Sequence, residues 1–295
     1  MIFKQVATQI IRLFLALALG NIIGLATFAF FAVVSYALKI WELEITADFI
    51  SFSEVNYSFT LGAFMLVGSL IAGFIYSRLE GPRSHGPADL MVCIKKDELP
   101  DIKAGFITSF LTMVSVSSGS SVGMFGPIIH YGGCIAASLE RFFNVLTRGV
   151  VLAAGGAAGI AALFSAPIAA SIFAHEMLLR RFRSTESLPV IMAALGGYFS
   201  AVMLLGDNRR FLSVIGDPPP LEPFSLGMAI LVGIFSGLLS SLYVYLVGAG
   251  PGWVKKTNIP PFFRPLIAAT ILFAISPFAS QYPANQSSLH CKEQF

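Results

Sequence analysis

Residues 115–133 read Ser-Val-Ser-Ser-Gly-Ser-Ser-Val-Gly-Met-Phe-Gly-Pro-Ile-Ile-His-Tyr-Gly-Gly. The stretch has no Asp, Glu, Lys or Arg. It is rich in glycine and small hydroxyls, and it places Pro127 where a new helix would begin. In lipid, an irregular backbone is tolerated only where it is buried in protein or lines a watery cavity. Broken helices of this kind often aim a helix N-terminus at an anion. This segment is therefore the first candidate for a site.

The rest of the chain supplies the membrane setting. Its 295 residues are 56% hydrophobic and 12% charged, and the mean hydropathy is +0.78. A soluble domain carries about 25% charged residues, so this is an integral membrane protein. The 27 Phe and 27 Gly suit lipid-facing helices with close backbone contacts. A net charge of +3 is small and scattered, so no nucleic-acid partner is expected. Cys93, Cys134 and Cys291 form neither a CxxC nor a Cys/His cluster, and a metal site is not expected. Two of them lie in apolar surroundings and read as packing residues.

Apolar runs appear near 10–40, 58–77, 103–118, 127–140, 149–164, 167–179, 188–205, 224–248 and 265–280. A spanning helix needs about 20 apolar residues. Several runs are shorter or broken by Gly and Pro, so full spans and half-spans are expected together. The first run is too long for a signal-peptide core and reads as a retained, tilted helix.

Loop charges set the expected topology. Lys4 and Arg12 precede the first helix, which favours a cytoplasmic start in the cell (inner) membrane. Glu42, Glu44, Asp48 and Glu54 read as outside. Arg78, Arg83, Lys95, Lys96 and Lys103 mark an inside stretch, as do Arg180, Arg181 and Arg183, and then Lys255, Lys256 and Arg264. Arg209 and Arg210 run against the rule.

Four GxxxG spacings occur, at Gly20/Gly24, Gly119/Gly123, Gly155/Gly159 and Gly233/Gly237. Ordinary close packing between membrane helices is the first reading of each. The run Ala153-Ala154-Gly155-Gly156-Ala157-Ala158-Gly159 is denser and predicts a helix buried on nearly all sides. Residues 284–295 form a polar, patternless tail, which fits either a short natural end or a truncated or frameshifted one.

Two further segments open helices with Gly/Pro-rich turns. They are residues 81–89, with Ser84 and Pro87, and residues 163–167, with Ser165 and Pro167. Proline in a first turn removes an amide that would be unpaired anyway. The remaining free N–H groups carry partial positive charge. With Ser84, Ser118, Ser120 and Ser121 they can replace the water shell of a small anion. The competing reading is that these serines cap helices or bond their own backbone, and for any one serine that reading is favoured.

Enzyme motifs fail. His175-Glu176 lacks the second histidine of HExxH, and no Gly-rich loop is followed by Lys-Ser/Thr. His85, His130 and His175 have no metal-ligand spacing and read as structural. Glu176 is expected to pair with Arg180, four residues on. No catalytic residue and no cofactor are expected.

These residues resemble the CLC family of chloride channels and chloride/proton antiporters. Gly123-Met124-Phe125-Gly126-Pro127, with Gly132-Gly133 following, is similar to the family's glycine–x–glutamate–glycine–proline stretch. Residues 153–169 are similar to its Gly/Ala-rich helix pair around an asparagine-alanine-proline turn. Ser84-His85-Gly86-Pro87 is a weak form of its glycine-serine-glycine-isoleucine-proline turn. The resemblance covers roughly residues 10–280. It implies an all-α polytopic fold with full-span and broken half-span helices, and a homodimer. Residues 1–283 would form an incomplete transmembrane domain, the first repeat plus the start of a second, with 284–295 as tail.

The departures shape the expected function. The resemblance places the family's external gating glutamate at Phe125 and its internal proton-handling glutamate at Met177. Its later anion-binding tyrosine would lie beyond residue 295. The implied anion site comprises Ser84, Gly123, Met124, Phe125 and Gly126, with Phe125 at the gate. Chloride or a similar small anion would pass in a channel-like way without proton coupling. Glu176 is expected to point at a different angle from Met177, since neighbours on a helix are about 100° apart, and to stay ionised beside arginines. The rival readings are a non-conducting truncated fragment or scaffold, and a membrane-embedded enzyme. The second lacks any charged or metal-binding constellation within the membrane.

Overall fold

In the computed structural model the described residues are 2–48, 54–78, 86–119, 123–142, 146–205, 223–256, 260 and 262–279. Ser84, Ser120, Ser121, His85 and the tail lie outside them. The chain is an all-α, polytopic membrane protein. Its helices are α1 (Ile2–Asp48), α2 (Glu54–Ser77), α3 (Pro87–Lys96), α4 (Ile102–Ser117), α5 (Phe125–Leu139), α6 (Arg148–Phe164), α7 (Pro167–Phe173), α8 (Ser184–Leu205), α9 (Pro223–Lys256) and α10 (Phe263–Ala279). Among the described residues three spans are long and apolar enough to cross a membrane: Val6–Ala37, Ser184–Leu204 and Leu226–Ala249. Ile102–Ser117, Arg148–Phe164 and Pro167–Leu179 are shorter apolar helices, as the mixture of full and half spans predicts.

Local chemistry explains the breaks. Pro87 opens α3, Asp89 lies in its first turn, and Lys95 and Lys96 lie in its last. That charge order complements the helix dipole. Asp101 caps α4 by accepting a hydrogen bond from the Ala104 amide at 3.1 Å. Helix α6 stops at Ser165, whose φ of 54° is left-handed, and Pro167 starts α7 two residues later. Helix α7 runs directly into a π-helical segment, Ala174–Leu179, which ends at Arg180 with a φ of 55°.

The Gly/Ala run predicts correctly. Helix α6 is the centre of the core, with every residue from Gly149 to Gly159 buried. It packs against α1, α5, α7 and α8. Gly155 lets α5 and α6 cross closely: a Cβ there would lie 2.5 Å from the Gly132 carbonyl oxygen and 2.6 Å from the Ala136 Cβ. Such small-residue crossings replace the hydrophobic driving force that lipid does not supply. Gly20 and Gly24 do the same for α1, against Ala193 and Gly197 of α8.

The other two GxxxG spacings behave differently. Gly119 has a φ of 85° and lies beyond the end of α4, so Gly119/Gly123 is not a helix-packing pair. At Gly233 and Gly237 an added Cβ would meet nothing within 4 Å. The described side chains of α9 from Phe224 to Gly248 are all exposed, an apolar surface suited to lipid.

Candidate functional site: converging helix starts

Helix α5 begins without a side-chain cap. Its N-cap is Met124, and the first helical bond runs from the Ile128 amide to the Met124 carbonyl at 3.1 Å. The amides of Phe125 and Gly126 precede that bond, and Pro127 has none to offer. Helix α3 also starts without a side-chain cap, at Gly86. The two starts touch: a Cβ on Gly126 would sit 3.4 Å from Pro87 Cδ. Two positive helix ends thus approach one another; α5 has no acidic residue between Gly123 and Gly133, while Asp89 lies in the first turn of α3.

The side chains around this point diverge by chemistry. Met124 packs into an apolar cluster with Phe30, Val34 and Ile128. Phe125 turns elsewhere, is 45% exposed, and stacks on Phe164 with centroids 4.3 Å apart and planes inclined by 13°. A Cβ on Gly123 would meet nothing within 4 Å, so that side of the turn is open. All three sequence breaks therefore converge. The α3 start meets Gly126, and the α6 end, one residue before Ser165, carries the ring that covers Phe125. The sequence offers no signal for the stack, because two phenylalanines 39 residues apart are unremarkable among 27.

Of the predicted site residues, Gly123, Met124, Phe125 and Gly126 are together here. Ser84 falls outside the described residues. Ser118 donates to the Ser115 carbonyl at 2.9 Å and is 5% exposed, so its hydroxyl serves its own helix end.

Met177 lies in the π-helical segment and is 45% exposed. One expectation about its neighbour is corrected. Among the described residues, Glu176 and Arg180 do not pair. The π-helical turn is wider than an α-helical one, and the left-handed Arg180 leaves the helical path. The nearby arginines go to Glu186 instead, Arg181 Nε at 2.8 Å and Arg183 at 3.9 Å. Glu176 and Met177 are both exposed, flanked by buried His175 and Leu178.

The histidines have structural surroundings. His175 donates through Nδ1 to the Arg181 carbonyl at 3.0 Å, a partner that only accepts. Its ring stacks on Phe182 at 4.9 Å. Buried His130 lies 3.7 Å from Asp89, which ties α5 to the first turn of α3. Cys93 and Cys134 are buried.

A family model described as voltage gated chloride channel matches residues 68–290. The chain belongs to the voltage-gated chloride channel (CLC) family. It is 24% identical over 269 residues to the voltage-gated ClC-type chloride channel ClcB of Salmonella dublin, covering 90% of this chain and 64% of that relative. Among solved structures it is similar to a slow cyanobacterial Cl⁻/H⁺ antiporter, with a TM-score of 0.73 and 19% identity over 92% of this chain and 64% of the other. A CLC-type fluoride/proton antiporter gives a TM-score of 0.69 at 20% identity, over 93% and 66%. At these identities the structural likeness establishes the CLC fold. The chain spans about two thirds of the length of these relatives.

Proposed function

We propose that this CLC chain holds chloride or a similar small anion at the converging starts of α3 and α5 and passes it across the cell membrane without exchanging protons. The carrying observation is Phe125, an apolar ring at the uncapped start of α5. The amides of Phe125 and Gly126 supply partial positive charge, and the adjacent apolar surroundings exclude competing water. Gly123, Met124 and Gly126 shape the turn, and Ser84 adds a hydroxyl. Phe125 is the gate, held against Phe164.

Two side chains support uncoupled passage. An antiporter needs groups that take and release protons along its path. Neither Phe125 nor Met177 has such a proton. The named antiporters of like fold do not bear on this point, because fold similarity does not carry function. Residues 1–283 act as the membrane domain of a homodimer, with the N-terminus in the cytoplasm. No cofactor takes part and no reaction is catalysed.

The test is chloride efflux from liposomes containing the purified chain, with a bromide-soaked crystal examined for anomalous density at Gly126. Efflux above empty liposomes and density at the α5 start support the proposal. Flux no greater than in empty liposomes favours the non-conducting scaffold.

A further inference from the structure

Helices α2 and α4 run beside one another and line two adjoining open clefts, the second of which is also walled by Val33 and Ala37 of α1. One, of about 390 Å³, is lined by Ile75, Arg78, Phe106, Ile107 and Phe110. The other, of about 250 Å³, continues past Phe110 along Val67, Ile71, Met113 and Val114 to Ser118. Phe110 lines both, so together they form one trough. Its walls are apolar, and the Ser118 hydroxyl at its far end is already bonded to the Ser115 carbonyl. From Phe106 to Ser118 the helical rise gives a length of ~18 Å. That is close to half of a ~30 Å hydrocarbon core, the depth of one leaflet.

Charge marks one end only. Exposed Arg78 closes the trough beyond Ile75, and its guanidinium lies 4.9 Å above the Phe74 ring. Among the described residues no carboxylate pairs with it; Glu80, two residues on, lies outside them. Lys103, also exposed, occupies the preceding turn of α4, three and four residues before Phe106 and Ile107 on the same face. The trough thus joins an apolar slot one leaflet deep to Arg78 at one end, with Lys103 one helical turn before Phe106 and Ile107. Both cations belong to a stretch whose Lys/Arg content marks the cytoplasmic side.

We infer that the α2/α4 trough is a binding site for an anionic phospholipid of the cytoplasmic leaflet. One acyl chain lies along Phe106, Ile107, Phe110 and Ile71, and the phosphate sits between Arg78 and Lys103. Arginine offers the fork geometry that suits phosphate oxygens. The Phe74 ring holds the guanidinium at the mouth and lowers the ordering cost. The inner end of the acyl chain reaches Met113, which, like Met124, packs against the cluster of Phe30, Val34 and Ile128. The lipid tail therefore abuts the apolar packing behind the α5 start. This inference does not depend on the proposed transport.

The experiment uses the full chain in nanodiscs and a phosphatidylglycerol carrying a photoreactive group on one acyl chain. A phosphatidylcholine probe and a fatty-acid probe, each with the same group, serve as comparisons. Peptides from α2 and α4 should label more strongly with phosphatidylglycerol than with phosphatidylcholine. They should also label more strongly than peptides of lipid-exposed α9. Arg78→Gln and Lys103→Gln should each cut the phosphatidylglycerol preference about fivefold, while Arg78→Lys retains part of it. Ile107→Trp, which fills the cleft, should remove labelling there without lowering the melting temperature. Equal labelling by both phospholipids, or labelling of the trough no stronger than α9, overturns the inference. So does fatty acid matching phosphatidylglycerol, or an Ile107→Cys variant that crosslinks to a second copy instead of labelling.

Discussion

Phe125 and Phe164 lie face to face, with ring centroids 4.3 Å apart and an interplanar angle of 13°. One ring stands on the first residue of α5 and the other on the last residue of α6, so the stack bridges two helix ends at the point where the chain twice departs from helix. An aromatic pair of this kind is worth about 0.5–1.5 kcal/mol beyond its burial. That is small enough for thermal opening and large enough to bias a gate.

Removing either ring should therefore loosen the gate. Phe164→Ala and Phe125→Ala should each raise chloride efflux by about two- to tenfold, the range that the pair energy allows. An ion-selective electrode on loaded liposomes gives the rate. Unchanged efflux in both variants would remove the stack from the anion path.

A carboxylate at the gate should act in the opposite sense. Phe125→Glu places a negative charge where the anion would sit, and a free glutamate titrates near about 4.3. Flux should be slow at neutral pH and recover as the pH falls and the carboxyl gains its proton. A flux that instead fell on acidification would contradict the placement of the anion.

Proton coupling provides a separate measurement. A chloride gradient across liposomes holding the unmodified chain should drive no proton uptake, and Phe125→Glu alone should not create any. Glu176 is the group to watch, because it is exposed, adjoins Met177 in sequence and has no ion pair among the described residues. Uptake in Phe125→Glu that disappears in Phe125→Glu/Glu176→Gln would assign the inner proton step to Glu176 and overturn the uncoupled reading.

Glycine substitutions separate packing from composition. Gly155→Ala forces a methyl to 2.5 Å from the Gly132 oxygen and should cost about 1–3 kcal/mol, the range for overpacked cores. Gly237→Ala meets nothing within 4 Å and should hold or slightly raise the melting temperature. Thermal unfolding in detergent compares them; equal effects would mean that the α5/α6 crossing is looser than described.

The topology is open to cysteine labelling. With Cys93 and Cys134 buried and Cys291 replaced, Ser184→Cys should react with a membrane-impermeant thiol reagent from the cytoplasmic face and Ser51→Cys from the other. Reaction of both from one face would invert the assignment drawn from the Lys/Arg bias.

Most of the element order is legible in the sequence, because each cue is local. Apolar runs set α1, α2 and α4 to α10, while Gly/Pro breaks set the starts of α3, α5 and α7. The Gly/Ala density of residues 153–159 announces the buried α6, since only small side chains let helices approach closely on every side. The motif around Gly126-Pro127 likewise marked the start of α5, where the anion site is proposed. Spacing could not tell which GxxxG pairs are used: Gly155 meets Gly132, whereas Gly233 and Gly237 meet nothing. That outcome depends on where a partner helix passes. The i, i+4 rule for Glu176 and Arg180 failed because the backbone there widens into a π-helical turn, and tertiary packing of His175 on Phe182 accompanies that change. Phe125 and Phe164, Gly126 and Pro87, and the α2/α4 trough all join residues far apart in the chain. Local chemistry fixed where the helices break, but only the packed arrangement decided which broken ends meet.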